Sequence, residues 1–168
     1  MAGSIFWWFC RIRERNGMDK YTASIAKAML DKGNLTTLYI DDVPENFSIP
    51  SLYFPVPEFD PSHATMNAYE MQGTIYAEVF AATGNKAKEI AEQIAEGIAK
   101  DRFLIDIMTA DGKGTEGKFR VEVPSTRRTD DRSAQIIVRY KLHKNYEVDT
   151  VDYVKYIIPE IVIKTEGG

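Results

Sequence analysis

From Tyr69 to Phe80 the chain alternates without a break. Tyr69, Met71, Gly73, Ile75, Ala77 and Val79 fall at one parity, and Glu70, Gln72, Thr74, Tyr76, Glu78 and Phe80 at the other. A period of two marks a strand with one face buried and the other in water or against a partner. Tyr76 and Phe80, aromatic on the polar parity, mark that second face as a candidate interface. Three residues later Thr83-Gly84-Asn85 opens a segment over 85–100 whose period is 3.6, with Ala87, Ile90, Ala91, Ile94, Ala95 and Ile98 forming one stripe. A long strand running straight into an amphipathic helix implies that the helix folds back onto the sheet.

The remaining segments build the same layer. A helix is expected over 19–32, capped by Asp19 or Thr22, with Ile25, Ala26, Met29 and Leu30 inward and Gly33-Asn34 as its stop. Leu35–Ile40 reads as a strand because β-formers fill it. Residues 47–62 carry Pro50, Pro55, Pro57 and Pro61. Proline cannot donate to a ladder, so at best a short edge strand is expected at Ser51-Leu52-Tyr53-Phe54, with extended loop around it. Phe103–Met108, Phe119–Val123 and Ala134–Leu142 read as strands, the last with Ile136, Val138 and Tyr140 opposed to Ile137, Arg139 and Lys141. Residues 109–117 form a Gly-rich turn, and Ser125–Ser133 a charged loop holding Arg127, Arg128 and Arg132. Further β-rich pieces lie at 151–158 and 161–164. The fold class is α+β: a mainly antiparallel sheet with two helices packed on one face.

The chain has 168 residues, 44% apolar and 27% charged, which suits one α+β domain over 18–168. Residues 1–17 hold Trp7, Trp8 and Phe9 followed by arginines, too short a run for a signal core or a membrane span. They are expected to be an extension upstream of an ordinary start at Met18; the other reading is a docking segment, because exposed tryptophans are costly.

Chemistry is sparse. A net charge of −4 excludes a general phosphate-backbone binder. The single cysteine, Cys10, permits no internal disulfide, and His63 and His143 have no metal-spaced partners. Gly112-Lys113-Gly114-Thr115 lacks phosphate-loop spacing and does not open a helix. Asp41-Asp42 and Asp130-Asp131 are adjacent residues in loops, where side chains diverge. No cofactor, no metal and no enzymatic activity are expected. The candidate interface residues are Leu52, Tyr53 and Phe54 on the edge segment, Tyr76 and Phe80 on the polar parity, and Arg127, Arg128 and Arg132 on the charged loop. The loop is expected to project as an arm, since hairpins usually close in about two to five residues.

The order of these elements from about residue 19 to 142 resembles the tail terminator and neck-completion proteins of long-tailed bacteriophages. The match runs through the first helix, Leu35–Ile40, the proline-bounded Ile49–Pro55, the strand at 68–80, the helix at 85–100 and a strand pair ending at Arg139-Tyr140. The resemblance implies a structural virion protein forming a homohexameric ring at the head–tail junction, assembled in the host cytoplasm. It would touch copies of itself, the tail tube protein, neck or connector proteins, and the sheath if the tail contracts. DNA would only pass through the ring, and no membrane is involved. A head-completion or connector protein is the alternative within that class. A small-molecule-binding α+β module is the alternative outside it.

Overall fold

A computed structural model describes residues 19–40, 42–109 and 115–146. The N-terminal extension and the β-rich pieces beyond residue 150 lie outside the described residues, as does most of the Gly-rich turn.

Helix α1 spans Lys20–Gly33. Asp19 caps it by accepting the Thr22 N–H at 2.7 Å, and Asn34 ends it in the left-handed region at φ 51°. Helix α2 spans Gly84–Lys100 and starts at Thr83, whose hydroxyl accepts the Lys86 N–H. Ala87, Ala91, Ile94 and Ile98 of α2 and Ile25 and Met29 of α1 are fully buried, as the apolar stripes require.

The strands are β1 (Leu38–Ile40), β2 (Ser51–Phe54), β3 (Glu58–Thr65), β4 (Ala68–Phe80), β5 (Leu104–Met108), β6 (Thr115–Arg120), β7 (Ser125–Arg128) and β8 (Ser133–Asn145). The main sheet runs β1-β2-β4-β8-β7, and β3 pairs with the first half of β4. Among the described residues, only β1 and β2 are parallel; the other pairs are antiparallel. The fold is therefore α+β with a mixed, mostly antiparallel sheet. The β4–β8 ladder is its spine, pairing Ile75 with Val138, Ala77 with Ile136 and Val79 with Ala134, all fully buried on the helix side. β5 and β6 leave the main sheet and form a separate hairpin against α1, where the Met108 N–H donates to the Ser24 hydroxyl.

Several expectations need correction. Residues 58–65 are a strand, not loop. β3 has an outer edge with no strand beside it among the described residues, so Pro61 deprives no neighbour of a bond there. Residues 125–128 are also a strand. Charges depress β propensity, but they are ordinary on an edge strand, and only Thr129–Arg132 remain as the turn. The 51–54 strand is interior: it sits between β1 and β4, with its flanking prolines just outside the paired residues. The strand read at 119–123 falls at 115–120 instead, and the one read at 35–40 is confined to Leu38–Ile40.

Candidate docking interface

Directly paired residues of neighbouring strands share a sheet face. The register therefore places each candidate. Tyr53 pairs with Tyr39 on one side and Glu78 on the other, Glu78 with Gln135, and Gln135 with Arg127. These residues form one row across the whole sheet on the face opposite the helices. Tyr76 and Phe80 flank Glu78 on the same face, and Tyr76 pairs with Ile137. Tyr53, Tyr76 and Phe80 are all half-buried. Arg127 is fixed in the row by its Nε, which donates to Gln135 Oε1 at 2.9 Å.

At one end this face is partly roofed by the 42–50 connection. The Phe47 ring lies 4.9 Å from the Phe80 ring, and the Ser48 N–H donates to the Tyr39 hydroxyl at 2.9 Å. The centre, around Tyr53, Tyr76 and Ile137, has no helix over it among the described residues. Aromatic rings over a polar row are the composition of a protein–protein contact, because they offer large area with few rotamers to freeze.

The other candidates fall elsewhere. Leu52 and Phe54 are fully buried, packed on the helix side with Val79, so the reading of 51–54 as an exposed surface is corrected for both. Parity decides this: in an interior strand, one set of alternate residues must enter the core. Arg128 pairs with Ala134 and so stands on the helix side. It is held over the start of α2 between the Asp130 carbonyl and the Asp131 carboxylate, at 3.2 and 2.9 Å. A side chain at Gly84 would strike it, which is why the helix can begin so close to the hairpin. Arg132 is exposed in the turn. The expected projecting arm is thus a short hairpin, with only Arg127 joined to the aromatic face. Tyr39, Gln135 and Ile137 were missed in the sequence. Alternation along 134–142 was the available signal for Gln135 and Ile137, but the row is visible only through the register.

An arm exists, but in another place. β3, the first half of β4 and the last half of β8 form a three-stranded ribbon whose outer strand is exposed at nearly every residue. Its charged face is stitched by Glu70, which meets Lys141 at 3.0 Å. Its other face carries Phe59, Pro61, Tyr69, Met71 and Leu142.

A cleft of about 180 Å³ lies between α1 and β5, lined by Ser24, Lys27, Asp31, Lys32, Asp101 and Asp106. Its charges answer one another. Lys27 pairs with Asp31 at 2.9 Å, and the Lys32 ammonium beside Asp101 holds that carboxyl below its ordinary value. This volume is below the roughly 300–1,000 Å³ of ligand pockets. Among the described residues, no group of three His, Cys, Asp or Glu is placed to hold a metal ion. No described helix is long and apolar enough to cross a membrane.

No family model matches the chain. It is 23% identical over 129 residues to the phage-like element PBSX protein XkdJ of Bacillus subtilis (strain 168), covering 77% of this chain and 88% of that protein. It is 27% identical over 110 residues to the uncharacterized protein YqbJ of the same organism, covering 66% of this chain and 75% of that one. The aromatic sheet face therefore belongs to a chain similar, along most of its length, to a protein of a phage-like element.

Proposed function

We propose that this chain is a structural protein of a phage or phage-tail-like particle, a tail terminator that closes into a homohexameric ring at the head–tail junction. The observation that carries the reading is the helix-free face bearing Tyr53, Tyr76, Phe80 and Arg127, on a chain similar to a phage-like-element protein. A ring needs two different patches per subunit, each meeting the other on the next copy. The open aromatic face supplies one, and the exposed β7 hairpin at the sheet edge is suited to the other. The mechanism is geometric. The ring caps the growing tube, stops further polymerisation and offers a new surface to the neck. Partners are copies of itself, the tube protein and neck proteins, with the sheath added in a contractile tail.

The test is removal of the gene from a producing lysogen, with imaging of the particles. The expected outcome is tails of uncontrolled length without heads, restored by the wild-type gene in trans. Tails of normal length beside separate, completed heads would overturn the terminator reading and favour a head-completion protein. Light scattering and imaging of assembled particles report the ring; a chain that remains monomeric inside the particle would overturn it.

A further inference from the structure

We infer that, in the ring proposed above, the acidic β3 edge of one copy's arm meets the basic β8 edge of the next; the contact rests on that reading and names the edges that meet.

The two edges of the arm carry opposite charge. Along β3, Glu58 and Asp60 are exposed, and no lysine or arginine stands among them. Along the end of β8, Arg139, Lys141 and Lys144 are exposed, and no carboxylate stands among them. Glu58, Asp60 and Arg139 form no ion pair among the described residues, and Lys141 meets Glu70 of β4. Both edges are bare. No strand lies outside β3 among the described residues. β7 reaches only as far as Ile137, and Val121 bridges Tyr140, so none of the described strands lies outside residues 141–145 either.

The register keeps these charges apart within a copy and matches them between copies. Glu58 pairs with Thr74 and Thr74 with Arg139; Asp60 pairs with Gln72 and Gln72 with Lys141. Each acid thus shares a row and a face with a cation two strand spacings away, about 10 Å, with a neutral residue between them. β3 and β8 both run antiparallel to β4, so they run parallel to each other. A second copy displaced along the rows sets Glu58 opposite Arg139 and Asp60 opposite Lys141 together, with no shift along the strands. This double match identifies the occupant as a copy of the same chain, since an unrelated acidic partner would use the β8 edge and leave β3 unanswered.

Shape and backbone agree. The arm is three strands wide and the sheet at the core is five, so copies set arm to arm splay at their cores, as the sectors of a ring do. Pro61 offers no N–H to an added strand, so side chains make the contact rather than a continued ladder. Like charges repel across a boundary, which forbids β3 against β3 and leaves β3 against β8. Such a contact is heterologous and closes into a ring.

The experiment uses the full chain. Glu58→Lys with Asp60→Lys turns the β3 edge basic, and Arg139→Glu with Lys141→Glu turns the β8 edge acidic. All four side chains are exposed, and urea unfolding checks that each variant folds. By light scattering at low salt, each variant is expected to need about tenfold more protein to self-associate than the wild type. An equal mixture of the two should associate as the wild type does. Variants that associate like the wild type, or a mixture that does not recover, would overturn the proposal. Crosslinking in complemented particles is the second readout. In a Cys10→Ser background, Asp60→Cys and Lys141→Cys lie too far apart within one copy for a disulfide, whose Cα atoms are at most about 7 Å apart, so the bond joins copies. Mild oxidation should give covalent dimers and longer chains, while either cysteine alone should leave monomer. Monomer from the double variant, or equal crosslinking by a single cysteine, would overturn the proposal. A ring seen by imaging without this crosslink removes the contact and leaves the ring reading standing; a chain monomeric inside the particle removes the ring reading itself.

Discussion

The hydroxyls of Thr22 and Tyr140 lie 3.0 Å apart in the core, joining the first turn of α1 to the middle of β8. Tyr140 is fully buried. Its ring also meets Phe119 edge-on at 5.8 Å, and Phe119 meets Tyr21 in the same way at 5.3 Å. One aromatic cluster thus ties α1 and the β5–β6 hairpin to the main sheet. Removing one partner of a buried hydrogen bond leaves the other unsatisfied, at a cost of about 1–3 kcal/mol. Tyr140→Phe is expected to destabilise by that amount in urea unfolding. Adding Thr22→Val should recover part of the loss, since both polar groups are then gone.

The same residue sets an alkaline limit. Burial pushes the Tyr140 hydroxyl up to about 12 from its ordinary 10.0; the Thr22 hydroxyl opposes the shift and the Asp19 charge adds to it. The folded state therefore favours the protonated phenol. The stability this provides is complete below about pH 10 and is lost as pH rises towards 12. Two pKa units correspond to about 3 kcal/mol. Unfolding free energy should fall across that window in the wild type and fall less in Tyr140→Phe. Equal slopes for the two proteins would contradict it.

Gly73 is where the arm leaves the core. A Cβ at this position would sit 2.4 Å from the Tyr140 ring, so the ring crosses the strand only because nothing projects there. Gly73→Ala is expected to cost about 1–3 kcal/mol by forcing the ring or the strand to shift. Pairing it with Tyr140→Leu should cost less than the sum of the two single changes, because both act on one contact. Additive losses would show that the contact is not shared.

Folding and assembly should separate on the helix-free face. Tyr53→Ser with Tyr76→Ser removes half-buried rings and should cost the isolated chain little, since neither lies in the core. Arg127, Arg128 and Arg132 changed together to alanine should also leave folding within about 1 kcal/mol per exposed pair. Both variants are expected to lose ring formation or tube docking in a particle-complementation assay. If the arginine variant assembles normally while the tyrosine variant does not, the β7 hairpin is a solvated edge and the aromatic face alone is the contact.

The elements with an unbroken period were legible in the residues. The alternation of 68–80 and 134–142, the apolar stripe of α2, and the caps at Asp19, Thr83 and Asn34 are local signals, and local backbone and burial preferences suffice to read them. The α+β class follows from them. What the residues alone did not settle was which strands lie at an edge. Proline at 61 and arginines at 127 and 128 depress strand propensity, yet an edge strand tolerates both, and being at an edge is a property of the assembled sheet. The same missing fact misplaced Leu52 and Phe54, whose destination depends on β1 and β4 closing on both sides of β2. The aromatic face is of this kind too. Tyr39, Tyr53, Glu78, Gln135 and Arg127 come from five strands scattered along the chain, and only register brings them into one row. Sequence by itself determined the periods, the caps and the class. Tertiary structure decided the edges and the rows, because strand pairing is non-local and a shift of one residue would turn every side chain to the opposite face.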